Sequence, residues 1–213
     1  MTEVLTEVRA HLGAHFRHAG IAAEPDTASV TFLGTEPIEV LRFGPDSDGV
    51  VHHVSLGCSR HPMTDPADIA ADPVRGPRAE VTTPLRGASP PGLARTLAVL
   101  AATPAVDGLR LEPNALVDLG EALWAQQSGP APFTAVLLGR SDIDDLSLTA
   151  PAADPNVAGP AAPVVVVVFL TATPITATEA AWVRLKGAEA MREAWKTDGV
   201  DVLDPARRAA KPR

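Results

Sequence analysis

The sequence predicts a mixed α+β fold: one compact domain in which a central, largely antiparallel β-sheet is flanked by helices. Three observations carry this reading. Short runs of strand-forming residues are joined by loops too brief for parallel crossovers. The run Val164–Val168, continued by Phe169 and Leu170, has no polar alternation. Helical spacing of apolar residues recurs at the N-terminus, in the middle and near the C-terminus.

Residues 3–18 form the first helix, because Val4, Leu5, Val8, Leu12 and Phe16 recur at spacings of three and four, with Gly20 placed as a C-cap. Three strands follow, at 29–33, 38–43 and 50–56, separated by the turn-like Gly34-Thr35-Glu36-Pro37 and Pro45-Asp46-Ser47-Asp48-Gly49. They make an antiparallel meander. Residues 57–77 are a loop holding Pro62, Pro66, Pro73 and Pro77, in which Asp65-Pro66-Ala67-Asp68 suits one helical turn. Arg78–Leu85 reads as a strand that Pro84 ends or confines to an edge. From Pro90-Pro91 a helix runs with Leu93, Leu97, Leu100 and Ala101 on its apolar face, and Pro104 stops it.

Residues 116–119 and 133–138 are two further strands, and Trp124 pins the loop between them to the body. Residues 141–163, rich in Asp, Ala and Pro, are a surface excursion. The valine run that follows, 163–170, reads as a strand buried on both faces and therefore central in the sheet. A turn at Thr173-Pro174 leads to a helix that starts at Thr176, with Glu179 completing a capping box, and stops before Asp198-Gly199. Gly187 in its middle costs about 1 kcal/mol relative to alanine, which points to a close approach of the helix to its neighbour.

A chain of 213 residues suits one sizeable domain. Hydrophobic residues make up 46% but aromatics only 4%, so the core is aliphatic. Residues 206–213 are a basic end: setting aside its Arg207, Arg208, Lys211 and Arg213 from a net charge of −8 leaves −12 on residues 1–206. A body so acidic repels phosphates, which excludes nucleic acid as a partner. Cys58 is the only cysteine, so there is no intrachain disulfide. The N-terminus carries Glu3 and Glu7 where a secretory leader carries bases. The apolar run at 164–170 falls short of the roughly 20 residues that span a bilayer. The expected location is the cytoplasm, away from membranes.

Several segments taken together resemble a known family. Val165-Val-Val-Val-Phe-Leu170, Pro174-Ile-Thr-Ala-Thr-Glu179-Ala-Ala-Trp182, Lys186-Gly187-Ala-Glu189-Ala190 and Gly199-Val-Asp-Val-Leu-Asp204-Pro205 are similar, in that order, to the C-terminal part of the bacterial suppressor-of-fused domain. Upstream, Leu56-Gly57-Cys58-Ser59 with Pro62-Met63, and Arg78-Ala79-Glu80-Val81, resemble two further family segments. Cys58 stands where methionine is usual, and Val81 and Met191 stand for leucine. The resemblance covers most of the chain, the excursion at 141–160 having no family counterpart; it makes residues 1–205 one domain and implies a β-sheet flanked by helices. It also implies a protein-binding role, as an adaptor or as an immunity protein that silences a toxin, and no catalysis.

The residues themselves offer three clusters for chemistry. His52, His53, Cys58 and His61 include a Cys-x-x-His gap usable by zinc, but His52 and His53 point to opposite faces of their strand. His11, His15 and His18 share a helix without the His-Glu-x-x-His pattern of a zinc hydrolase. Asp142, Asp144 and Asp145 are the sharpest acidic group and lack the glycine and terminal glutamate of a calcium hand. No nucleophile elbow, phosphate loop or dinucleotide fingerprint is present.

The expected protein is therefore a non-enzymatic binding module with no catalytic residue, metal or cofactor. Its partner is a protein, a basic toxin domain being one candidate, met through Asp142, Asp144 and Asp145. The alternative is a metal-dependent or hydrolytic enzyme using His61 and Cys58 or the aspartates of 142–145.

Overall fold

Eight strands in one sheet organise the molecule, a computed structural model that describes residues 3–32, 36–63, 76–125, 132–149 and 164–211. The elements in chain order are α1 (Glu3–His18), β1 (Asp26–Val30), β2 (Ile38–Phe43), β3 (Val50–Leu56), β4 (Arg78–Arg86), α2 (Leu93–Asp107), β5 (Leu116–Asp118), β6 (Phe133–Arg140), β7 (Leu146–Thr149), β8 (Val164–Thr176), α3 (Ala177–Lys186) and α4 (Ala188–Thr197). The strands lie in the order β1-β2-β3-β4-β8-β6-β5. The meander expected of the first strands holds and extends to β4. Among the described residues only β4 and β8 pair in parallel. β6 and β7 follow one another along the same edge of β8, β7 on Val164–Val167 and β6 on Leu170–Thr176. The fold is mixed α+β with a largely antiparallel sheet, as the sequence predicts.

Strand alternation sends successive side chains to opposite faces, and the helices cover both. On one face α1 lays Leu5, Val8, Leu12 and Phe16 over Leu41, Phe43, Val54, Val167 and Phe169. On the same side α3 and α4 cover Ala135, Leu137 and Ile175. The opposite face packs Leu93, Leu97, Leu100 and Ala101 of α2 against Val40, Val81, Val136, Leu138 and Leu170. β8 thus feeds all three clusters and is an interior strand, with β4 on one edge and β6 and β7 on the other.

Six expectations are corrected. β1 spans 26–30 rather than 29–33, its start fixed by Asp26 opposite Arg42, whose guanidinium donates to the carboxylate at 3.0 Å. Pro84 neither ends β4 nor marks an edge, since β4 lies between β3 and β8 and continues to Arg86. Arg86 N–H points away from β3 to Leu203 O, and Pro84, two residues earlier, turns its missing donor the same way, past the last β4–β8 pair at Thr82 and Thr171. Pro104 likewise sits inside α2, which ends at Asp107 with Gly108 in the left-handed region. The Thr103 hydroxyl donates to Leu100 O at 2.8 Å, supplying the hydrogen bond that proline withholds.

At the C-terminal side, β8 runs straight through Thr173-Pro174 to Thr176, so no turn separates it from α3. Burial on both faces is incomplete: Val165, Val167, Phe169, Leu170, Ala172 and Ile175 are buried, but Val166 is 39% exposed and Val168, Thr171 and Thr173 are half-buried. Gly187 divides two helices instead of interrupting one. A side chain added there would meet nothing within 4 Å, so its reason is the backbone angle, φ 88° with ψ 168°, which only glycine adopts without strain. The expected turn at Gly34-Thr35, the helical turn at 65–68 and the excursion over 150–163 lie outside the described residues.

Candidate functional site

Segments distant in sequence meet around two buried carboxylates. Glu80, on β4, is fully buried beside the tight turn that follows β3. Its Oε1 accepts from Gly57 N–H (2.9 Å), Ser59 N–H (3.0 Å) and the Ser59 hydroxyl (2.6 Å), and its Oε2 accepts from the Ser55 hydroxyl. Ser55 Oγ in turn accepts from Val81 N–H at 2.9 Å. Burial pushes the Glu80 carboxyl above its ordinary value, and the surrounding donors pull it back only in part. Two residues earlier on β4, Arg78 donates to the carbonyls of Ser59 and Arg60 at 2.8 and 2.7 Å. The two upstream segments of the family resemblance are thus the two halves of one buried clasp.

The second clasp is at the capping box. Glu179 accepts from Thr176 N–H at 2.9 Å while Thr176 Oγ1 accepts from Glu179 N–H at 3.3 Å, as the sequence predicts. The same carboxylate accepts from both terminal guanidinium nitrogens of Arg207 (2.8 and 3.1 Å), the Trp195 indole N–H (2.9 Å) and Ala210 N–H (3.1 Å). Burial alone raises this carboxyl; the Arg207 and Thr176 donors reverse that and hold it below its ordinary range. Arg207, expected in a solvated basic end, is 5% exposed, with its guanidinium over the rings of Phe133 and Trp195. The resemblance reached Glu179 but gave no hint of Arg207, whose ligand lies 28 residues away.

The residues singled out for chemistry are dispersed. His52 Nε2 lies 3.1 Å from Asp46 Oδ2. His53, on the opposite face as its alternation demands, is enclosed between Thr83 O (3.3 Å) and Ser89 Oγ (2.7 Å), and burial lowers its pKa to about 4. The Cys58 thiol is buried and pushed well up by that burial, a state opposite to that of an activated nucleophile. His61 is exposed and bonds Glu36 Oε2 at 3.0 Å, while Ser59 is committed to Glu80, so Cys58, Ser59 and His61 are not assembled into a relay. On α1, His11 stacks on Phe169 at 5.4 Å and its Nε2 lies 2.8 Å from Asp144 O; His15 meets the edge of Phe16. Burial lowers the pKa of His15 against the pull of Asp142. Among the described residues no three His, Cys, Asp or Glu side chains are grouped to hold a metal.

Asp142, Asp144 and Asp145 share an exposed loop between β6 and β7. Between them Ile143 is 4% exposed and inserts into the α1 core, and His11 holds the carbonyl of Asp144. Asp145 makes an exposed pair with Arg140 at 3.4 Å. The loop is anchored by its apolar residue and presents its carboxylates to solvent. A second candidate is a cleft of about 270 Å³ between the end of α2 and the 57–61 turn, floored by Ile38, Cys58, Ala101 and Ala102, with Glu36, Arg60 and His61 at its mouth. It was invisible in the sequence, because its walls come from three separate segments. Among the described residues no helix is long and apolar enough to cross a membrane.

A largely antiparallel sheet flanked by helices, with one buried carboxylate closing a turn and another closing a helix start, defines a mixed α+β domain held by polar clasps. The chain belongs to the suppressor of fused protein family, whose sequence pattern matches residues 34–208. A suppressor of fused homologue from Neisseria gonorrhoeae FA 1090 has a similar structure, at 18% identity and TM-score 0.58 over 96% of this chain and 94% of that one. The Sufu–Fu complex matches at 12% identity and TM-score 0.62 over 98% of this chain and 90% of that one. Drosophila Suppressor of Fused matches at 13% identity and TM-score 0.59 over 97% of this chain, which spans about half of the longer protein, 49%. No curated protein sequence matches the chain.

Proposed function

We propose that the chain is a non-enzymatic protein-binding module of the cytoplasm. The observation that carries this reading is the likeness in fold to a protein solved as the Sufu–Fu complex, together with membership of the same family. The contact surface is the loop of Asp142, Asp144 and Asp145, anchored by Ile143 with its carboxylates outward. Its charge and the net −8 of the chain favour a basic partner by speeding encounter. A basic toxin domain fits that description, which would make this an immunity protein.

The test is co-purification at low and high salt with the wild type and with the variant D142N/D144N/D145N. A protein partner retained at low salt, and lost both at high salt and in the variant, is the expected outcome. Recovery of no partner, or capture untouched by the three substitutions, would overturn the proposal.

A further inference from the structure

Leu185, 72% exposed, is the most exposed large apolar side chain among the described residues. It belongs to α3, whose inner face buries Glu179, Ala180 and Val183. The outer face carries Ala181 and Leu185 four residues apart, beside a second pair, Trp182 and Lys186, at the same spacing. Trp182 is half-buried against the α3–α4 cluster, and its indole N–H meets no acceptor among the described residues. The Lys186 ammonium lies over its ring, 5.9 Å from the centroid. Arg184 reaches Asp118 at 2.6 Å, whereas Lys186 has no carboxylate partner among the described residues. An indole, a leucine and a cation on adjacent turns combine an apolar anchor with an unmatched positive charge, in a molecule that is otherwise acidic.

We infer that the outer face of α3 is a second docking surface, and that it takes an acidic amphipathic segment of a protein partner, with apolar side chains on Leu185 and Trp182 and a carboxylate on Lys186. Charge complementarity selects the occupant: the acidic loop at 142–145 attracts basic surface, whereas Lys186 beside exposed leucine calls for acid beside apolar residues. The inference rests on the protein-binding reading and extends it to a surface of opposite sign.

Trp124 and Trp195 are 6% and 7% exposed, so tryptophan emission changed by a surface ligand reports on Trp182. The probe is a synthetic helical peptide of leucine and glutamate at amphipathic spacing, with a lysine-for-glutamate counterpart as control. The glutamate peptide is expected to shift the emission saturably, the lysine peptide to leave it unchanged, and Leu185→Asp or Lys186→Glu to weaken binding about tenfold or more. Trp182→Phe should abolish the signal. Because Leu185 is exposed, its variant should keep the wild-type thermal midpoint, which separates lost docking from lost folding. No response to the glutamate peptide, an equal response to both peptides, or indifference to both variants would overturn the inference. The 142–145 variant tests the protein-binding reading through a different surface, so either can fail while the other stands.

Discussion

Glu80 and Glu179 are both fully buried, and the molecule treats them in opposite ways. Around Glu80 the donors are neutral: two backbone N–H groups and two serine hydroxyls. Around Glu179 the guanidinium of Arg207 adds a full opposite charge. The consequence is a carboxyl whose pKa is raised in the first case and lowered in the second. Hydrogen bonds from neutral groups satisfy a buried carboxylate's lone pairs without recovering all of its lost hydration; an ion pair with good geometry does more. The comparison separates two jobs. Glu80 fixes a tight turn against its neighbouring strand, whereas Glu179 ties the start of α3, the indole of α4 and the C-terminal segment into one knot.

The strongest way to break the comparison is Arg207→Met, which leaves the Glu179 carboxylate buried without its charge partner. The expected loss is about 3–5 kcal/mol by denaturant titration. Adding Glu179→Gln to that variant should restore part of the loss, because the uncompensated charge is then gone. A double variant no more stable than Arg207→Met alone would mean that the guanidinium acts through packing on Phe133 and Trp195.

Glu80→Gln should be milder. The amide oxygen keeps the acceptor seen by Gly57, Ser59 N–H and the Ser59 hydroxyl, but its NH₂ faces Ser55 Oγ, which already accepts from Val81 N–H. The Ser55 hydroxyl then has no acceptor, for an expected cost of about 1–3 kcal/mol by the same titration. A cost equal to that of Arg207→Met would remove the distinction between the two clasps.

Much of this architecture was legible where the determining contacts are local. The ranges of β2 and β3 match the reading from alternation and turn residues, and the Thr176–Glu179 box, spanning three residues, was read directly. What failed depended on partners elsewhere. Pro84 and Pro104 are breakers by rule, but the strand neighbour that Pro84 does not need and the Thr103 hydroxyl that serves Leu100 are visible only in three dimensions. Arg207 looked like part of a solvated end because its ligand lies 28 residues away. At the candidate surface, the outward aspartates followed from polarity, whereas the anchoring by Ile143 and the exposure of Leu185 required the packing of α1 and α3.

The smallest effect is also the one that distinguishes the carboxylates by sign. Both start from an ordinary value of 4.5 in the unfolded chain. Glu179, lowered on folding, contributes stability that is present above that value and is lost as pH falls through its folded pKa. Glu80, raised on folding, contributes stability that is present below 4.5 and is lost as pH rises through its folded pKa. Thermal midpoints recorded from acid to neutral pH should therefore show the Glu80→Gln deficit shrinking as pH rises. The Glu179→Gln deficit should shrink as pH falls. Parallel profiles for the two variants would mean that Glu80 is held ionised by its four donors as firmly as Glu179 is by Arg207, and that hydrogen bonds to neutral groups suffice to offset burial in this fold.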